Sequence, residues 1–180
     1  MKKNKFKFRI IKNNFHQKLI LKDFKKITNT SLIIIWKNKK TKKLKYLIQK
    51  RSKVMRNGKN KLAIGGGMLE KSDESLQFGA IREIMEESQI QFKNKKNLDI
   101  TTIRELEPFL FPLGKFKNNF TFYMIIESIY QPKILGPVTN NNTKPFLNSV
   151  REIDIENNSW NDIKKIINGH SFLSKTEITK

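Results

Sequence analysis

The apolar residues of this chain recur with two different periods. SLIIIW (31–36) and KYLIQKRS (45–52) are short, largely apolar, β-rich runs, and the lysine-rich stretch between them reads as the turn of a hairpin. A polar loop with the turn signal Asn57-Gly58 follows, then a short strand, KLAI (61–64), running into Gly65, Gly66 and Gly67. Beyond the glycines the period changes. SDES (72–75) supplies helix N-cap residues, and Leu76, Ala80, Ile81, Ile84 and Met85 recur at helical spacing, which predicts a helix with one apolar face. Residues 98–112 and 119–130 read as further strands, Gly136, Pro137 and the Asn run 140–142 as a long surface loop, and 150–156 as a strand. SWNDIKKIING predicts a closing amphipathic helix stopped at Gly169. The order predicts an α/β (α+β) fold, a mixed sheet between helices, over 31–180, with residues 1–30 a basic segment packed on or preceding that domain.

Composition bounds this picture. A chain of 180 residues, 37% apolar with 13 Phe, can build one well-cored domain. No run approaches the ~18 apolar residues of a membrane span. The basic opening segment lacks the apolar core and cleavage site of a secretory signal. The absence of cysteine excludes disulfides and thiolate metal sites and fits a reducing compartment, the cytoplasm (a host's, if the chain is viral). The formal charge of +21 is distributed unevenly: residues 1–67 hold 22 Lys/Arg and one acid, Asp23, whereas residues 68–180 hold 15 of each sign. Such segregation points to a polyanionic partner, with nucleic acid ahead of membrane.

The candidate chemistry lies where the basic half ends. Glu83, Glu86 and Glu87 stand at spacings of three and four, so a helix gathers them on one face, where they repel unless a cation intervenes. Oxygen ligands in this pattern suit a hard divalent ion, Mg2+ or Mn2+. Arg82 can offset part of the charge and, paired with Glu74, would brace the loop against the helix. Gly66 and Gly67 leave room for a backbone carbonyl near the metal and for close passage of phosphates. His16 and His170 have no ligand neighbour at helical spacing and read as ordinary polar residues. Trp36, Trp160 and Phe109, Phe111, Phe116, Phe120 and Phe122 are mostly core, with room among them for one base-stacking ring.

The segment resembles the box of the Nudix hydrolases, Gx5Ex7REUxEExGU with U aliphatic. Glu74, Arg82, Glu83, Ile84, Glu86, Glu87 and Ile90 match with the spacer intact. Two positions depart. Met68 stands where the first glycine is expected, so the loop from Gly67 is one residue longer, and Gln89 replaces the late glycine. The resemblance covers about residues 30–170. It implies Glu83, Glu86 and Glu87 as metal ligands, Arg82 and Glu74 as the bracing pair, and Mg2+ or Mn2+ as cofactor. It also implies a general base on a later strand or loop. Glu127 is the first candidate, followed by Glu83, with Glu105 and Glu107 behind them.

Membership of that family implies cleavage of a phosphate–phosphate linkage and leaves the substrate open. Hydrolysis of the 5′ cap of mRNA fits the basic residues 1–67, with Lys39, Lys40, Lys42 and Lys43 on an RNA track, and the missing late glycine is shared with viral decapping members. The alternatives are a small nucleotide (ADP-ribose, a dinucleoside polyphosphate or a nucleoside triphosphate) and an inactive Nudix-fold RNA-binding protein.

Overall fold

The computed structural model describes residues 6–42, 44–51, 62–63, 65–93, 99–134 and 147–155. The apolar run in the thirties becomes the sheet's inner strand, β2 (Asn29–Asn38), after a short strand β1 (Arg9–Ile10). Leu32 to Ile35 are all at most 3% exposed, so both faces of β2 are covered, as a continuous apolar run demands. β3 (Leu44–Arg51) returns antiparallel with Ile35 opposite Tyr46, confirming the hairpin. β4 (Leu62–Ala63) and β5 (Gly66–Met68) follow, with β5 paired to the beginning of β2.

Helix α1 (Leu76–Ser88) starts at Ser75, whose hydroxyl accepts the Phe78 amide at 2.9 Å. Leu76, Ala80, Ile81 and Ile84 are fully buried and belong to one core cluster with Leu32, Ile34, Trp36, Phe122, Met124 and Ile126. One face of α1 thus lies on the core strands of the sheet, and Glu83 and Glu87 on its flank face β5. The helix ends at Gln89, which holds the left-handed conformation (φ 47°) and donates its amide to the Met85 carbonyl. This is the backbone state that glycine ordinarily supplies at a helix C-terminus, here adopted by the residue that replaces the family's late glycine.

Residues 98–112 correct the sequence reading. From residue 99 on they form α2 (Ile100–Leu106), a 3-10 turn over Glu107–Phe109 and only then a strand, β6 (Phe111–Phe116). The Asp99 carboxylate caps α2 by accepting the Thr101 amide, and Ile103 and Leu106, three apart, are buried. That capping and period outweigh the β-branched content. β7 (Asn119–Ser128) runs parallel to β2 along ten residue pairs, Asn29 opposite Asn119 through Asn38 opposite Ser128. β8 (Leu147–Ile155) pairs antiparallel with β3, extending the predicted strand toward the N-terminus. The sheet is therefore mixed, and the fold is α+β.

Residues 6–30 contribute to the core. Phe8, Ile10 and Ile27 are buried, β1 pairs with the end of β7, and the buried Asn13 side-chain amide donates to the Leu110 carbonyl. The Asn57-Gly58 turn, the 136–142 loop and the closing helix with Trp160 and His170 lie outside the described residues. Among the described residues no helix is long and apolar enough to cross a membrane.

Ser75 also donates to Glu107, a carboxylate buried to 5% exposure, which couples the start of α1 to the turn after α2. Ser75→Ala therefore loses the cap, about 1 kcal/mol, and leaves Glu107 without that donor, a further ~1–3 kcal/mol. Asp99→Ala loses only an exposed cap, about 1 kcal/mol. Denaturant unfolding of the two variants should rank them in that order; equal losses would remove the coupling.

Candidate metal and phosphate site

Arg82 is the centre of the site. Its side chain is 7% exposed, and its three nitrogens reach different groups. Nε and Nη2 donate to the two oxygens of Asp73 at 2.8 and 3.0 Å, and Nη2 also donates to the Met68 carbonyl at 3.0 Å. Nη1 faces the acids: 2.9 Å to Glu83, 3.3 Å to Glu86 and 3.4 Å to Glu70. Burial opposes the guanidinium charge, but Asp73 and Glu83 more than compensate and raise its pKa above the ordinary arginine value.

The bracing pair read from the sequence is corrected here. Glu74 does not meet Arg82; it accepts from Arg104, with Lys18 Nζ at 3.8 Å, on the surface, and the Arg104 hydrogen bond holds its carboxyl below the usual range. Asp73 braces Arg82 instead. Counted from Gly67, Asp73 occupies the position that the box reserves for its first acid. The extra loop residue is absorbed between Asp73 and the helix, so the glycine-side count was the sequence signal for this residue. Glu70 was also missed, because nothing in its spacing ties it to the helix. Asp73 additionally accepts the Glu70 amide at 2.8 Å, which closes the loop on itself.

The glycines have distinct tasks. A Cβ on Gly66 would strike the Thr30 carbonyl, so only glycine permits this approach of β5 to β2. A Cβ on Gly67 would occupy the place of the Glu83 carboxyl group. The Gly66 amide donates to Glu87 at 3.1 Å. Glu83 and Glu87 thus lie against the glycines, with Glu86 joined to them through Arg82. Burial raises the Glu83 pKa, opposed by Arg82 and reinforced by Glu86 and Glu70.

Four carboxylates, those of Glu70, Asp73, Glu83 and Glu86, therefore surround one arginine, and Glu87 lies beyond them on the Gly66 amide. The donor set is hard oxygen, its negative charge exceeds what Arg82 offsets, and Gly67 keeps open the cradle that Glu83 fills; on these grounds the residues fit a divalent ion such as Mg2+ or Mn2+. Among the described residues no three acidic or imidazole groups already converge at ligand distance. Arg82 Nη1 stands between Glu83 and Glu86, so ion binding requires these side chains to readjust around it.

The remaining candidates lie elsewhere. Thr121 and Ser31 share a register with Gly66, whereas Glu127 is in register with Lys37 and with Arg9, whose Nη1 is 3.4 Å away. From Thr121 to Glu127 the strand runs about 20 Å at ~3.3 Å per residue, so Glu127 stands at the other end of the sheet and cannot act as base for this cluster. Glu105 pairs with Lys93, and Glu107 is held by Ser75. Trp36 is buried with Nε1 donating to Ser128, Phe120 and Phe122 pack in the core, Phe109 meets Phe6 edge-on, and Phe111 stacks on Tyr123 at 4.9 Å. His16 lies on the N-terminal segment, its amide bonded to the Asn13 carbonyl.

The exchange of Asp73 for Glu74 has a direct test. Asp73→Asn breaks a buried pair and should cost about 3 kcal/mol, read from denaturant unfolding, while Glu74→Gln should leave the midpoint near that of the wild type. The reverse order would restore Glu74 as the brace.

No protein-family model matches the chain, and no curated protein matches it. Solved structures do. A MutT/nudix family protein from Enterococcus faecalis is similar with a TM-score of 0.48 and 16% identity over 72% of this chain and 44% of that one, so this chain spans less than half of its length. A NUDIX hydrolase from Alicyclobacillus acidocaldarius gives 0.46 and 15% over 84% and 88%. The NUDIX domain of Shewanella oneidensis NrtR, solved with ADP ribose, gives 0.47 and 14% over 78% and 77%. In its box residues, the chain resembles the Nudix hydrolases.

Proposed function

We propose that this chain is a metal-dependent hydrolase of the pyrophosphate linkage in nucleoside diphosphate derivatives, and that its favoured substrate is the 5′ cap of mRNA. The observation that carries the reading is the arrangement of Glu83 and Glu87 against Gly67 and Gly66, with Glu86 gathered by the same Arg82. A Mg2+ or Mn2+ ion bound by Glu83, Glu86 and Glu87 would neutralise phosphate charge and lower the pKa of a water. The chain's own residues do the rest. Asp73 and Met68 fix Arg82, and Arg82 fixes the glutamates on the helix face beside the glycines. With Glu127 remote, a carboxylate of the cluster accepts the water proton; Glu83 is the candidate, and the more exposed Glu70, which shares Arg82 Nη1 with it, is next. The concentration of positive charge in residues 1–67 supports capped RNA over a small nucleotide.

Purified protein with Mn2+ and a labelled capped RNA, ADP-ribose and a nucleotide panel should release a cap nucleoside diphosphate from the RNA. Cleavage confined to the free nucleotides would replace capped RNA by a small substrate, and cleavage of none would leave an inactive RNA-binding protein. Glu86→Gln and Glu87→Gln should each abolish turnover with the fold intact, and Glu83→Gln should lower kcat by on the order of a hundredfold. Gly67→Ala should behave like Glu83→Gln, because the added methyl displaces that carboxyl group. Glu127→Gln should turn over near the wild-type rate. Undiminished turnover of Glu86→Gln or Glu87→Gln at saturating Mg2+ would remove the metal assignment.

A further inference from the structure

Among the described residues, two groups of lysines stand at opposite ends of the sheet. Lys37, Lys39, Lys40 and Lys42 lie at the end of β2 and in the turn after it, on the side of Glu127 and Arg9. The second group surrounds the beginning of β2. There the Leu69 amide donates to the Thr28 carbonyl at 2.8 Å, and the Thr28 amide and the Asn118 side chain join Thr28 to the β6–β7 turn at 2.9 and 2.8 Å. Three segments meet at Thr28: the turn before it, with Lys22, Lys25 and Lys26; the loop of the carboxylate site, with Lys71; and the hairpin end, with Lys115 and Lys117. All six lysines are exposed. Among the described residues Lys22, Lys25, Lys26, Lys71 and Lys115 form no ion pair; Asp23 and Glu70, the latter turned to Arg82, are the acids next to Lys22 and Lys71 in the chain.

We infer that this edge binds the phosphates of a single-stranded RNA body whose 5′ end lies at the carboxylate site. The inference deepens the hydrolase reading and rests on it for the position of that end. Like charges gathered by tertiary structure repel one another, and a row of phosphates relieves the repulsion while releasing counterions. The glycine loop carrying the acids is itself hydrogen-bonded to Thr28, so an RNA leaving the site in this direction meets these lysines first. From Thr28 to Lys39 the strand runs about 35 Å at ~3.3 Å per residue, so the Lys39 turn stands at the far end of the sheet. That adjacency favours RNA over an anionic membrane, which has no reason to gather at a pyrophosphate-cleaving centre.

The test is equilibrium binding of an uncapped 20-nucleotide oligouridylate, without divalent ion, as a function of salt. Replacing Lys25, Lys26, Lys71 and Lys115 with Gln should flatten the slope of log K against log salt by about 3, at roughly 0.7 per lost phosphate contact. It should weaken binding at low salt by on the order of a hundredfold. Replacing Lys39, Lys40 and Lys42 with Gln should leave both nearly unchanged. Equal losses in the two variants, a loss only in the second, or loss of binding to phosphatidylserine vesicles with RNA binding intact would overturn the inference. Hydrolysis of a free cap dinucleotide is measured separately, so failure of the hydrolase reading is distinguishable from failure of the RNA edge.

Discussion

One guanidinium group organises the candidate site. Arg82 is buried, and a buried cation is tolerated only when its donors are satisfied and its charge is matched. Asp73 supplies both oxygens to one side of the group, the Met68 carbonyl takes a further hydrogen bond, and the remaining nitrogen is directed at Glu83 and Glu86. The arrangement ties a loop that precedes the helix to the middle of that helix and sets the positions of two acids at once. Its value lies in specification more than in net stability, because replacing Asp73 would leave Arg82 buried and charged without its matching carboxylate.

The packing of α1 makes the cluster accessible. Leu76, Ala80, Ile81 and Ile84 occupy the sheet-facing side completely, and the helical period then places Glu83, Glu86 and Glu87 toward the glycine loop. Glycine at three positions permits the close approach. Gly66 lets β5 pair with β2, Gly67 makes room for Glu83, and Gly79 leaves space for Leu69 and for the carboxylate of Asp73 beside the helix. The site is thus a consequence of backbone proximity as much as of acidic residues, and the same glycines that join the loop to the sheet bring its backbone next to the carboxylates.

The parallel pairing of β2 with β7 determines which charged residues can cooperate. It sends Glu127 to the Arg9 end and brings the beginning of β2, with Thr28, to the glycine end. Acids and lysines that seem equivalent along the chain are consequently separated by the length of a strand. The segment that carries Lys25 and Lys26 is joined through Thr28 to the loop of the carboxylates, whereas the more conspicuous lysine run after β2 is not.

The sequence alone determined the elements whose signals are local. The hairpin of β2 and β3, the span of α1, the strand β7 and the gathering of Glu83, Glu86 and Glu87 on one helix face all follow from periods of two or 3.6 residues acting over short distances. Asp99 as a cap was equally local, but the β-branched residues around it concealed α2. Tertiary structure decided the rest. Asp73 displaced Glu74 as the partner of Arg82 because the loop closes on itself through Glu70, and Glu127 was removed from the site by strand register. A spacing rule records separation along one helix or strand; it does not record how a loop folds back or in which direction two strands pair, and those two choices fix which charges meet.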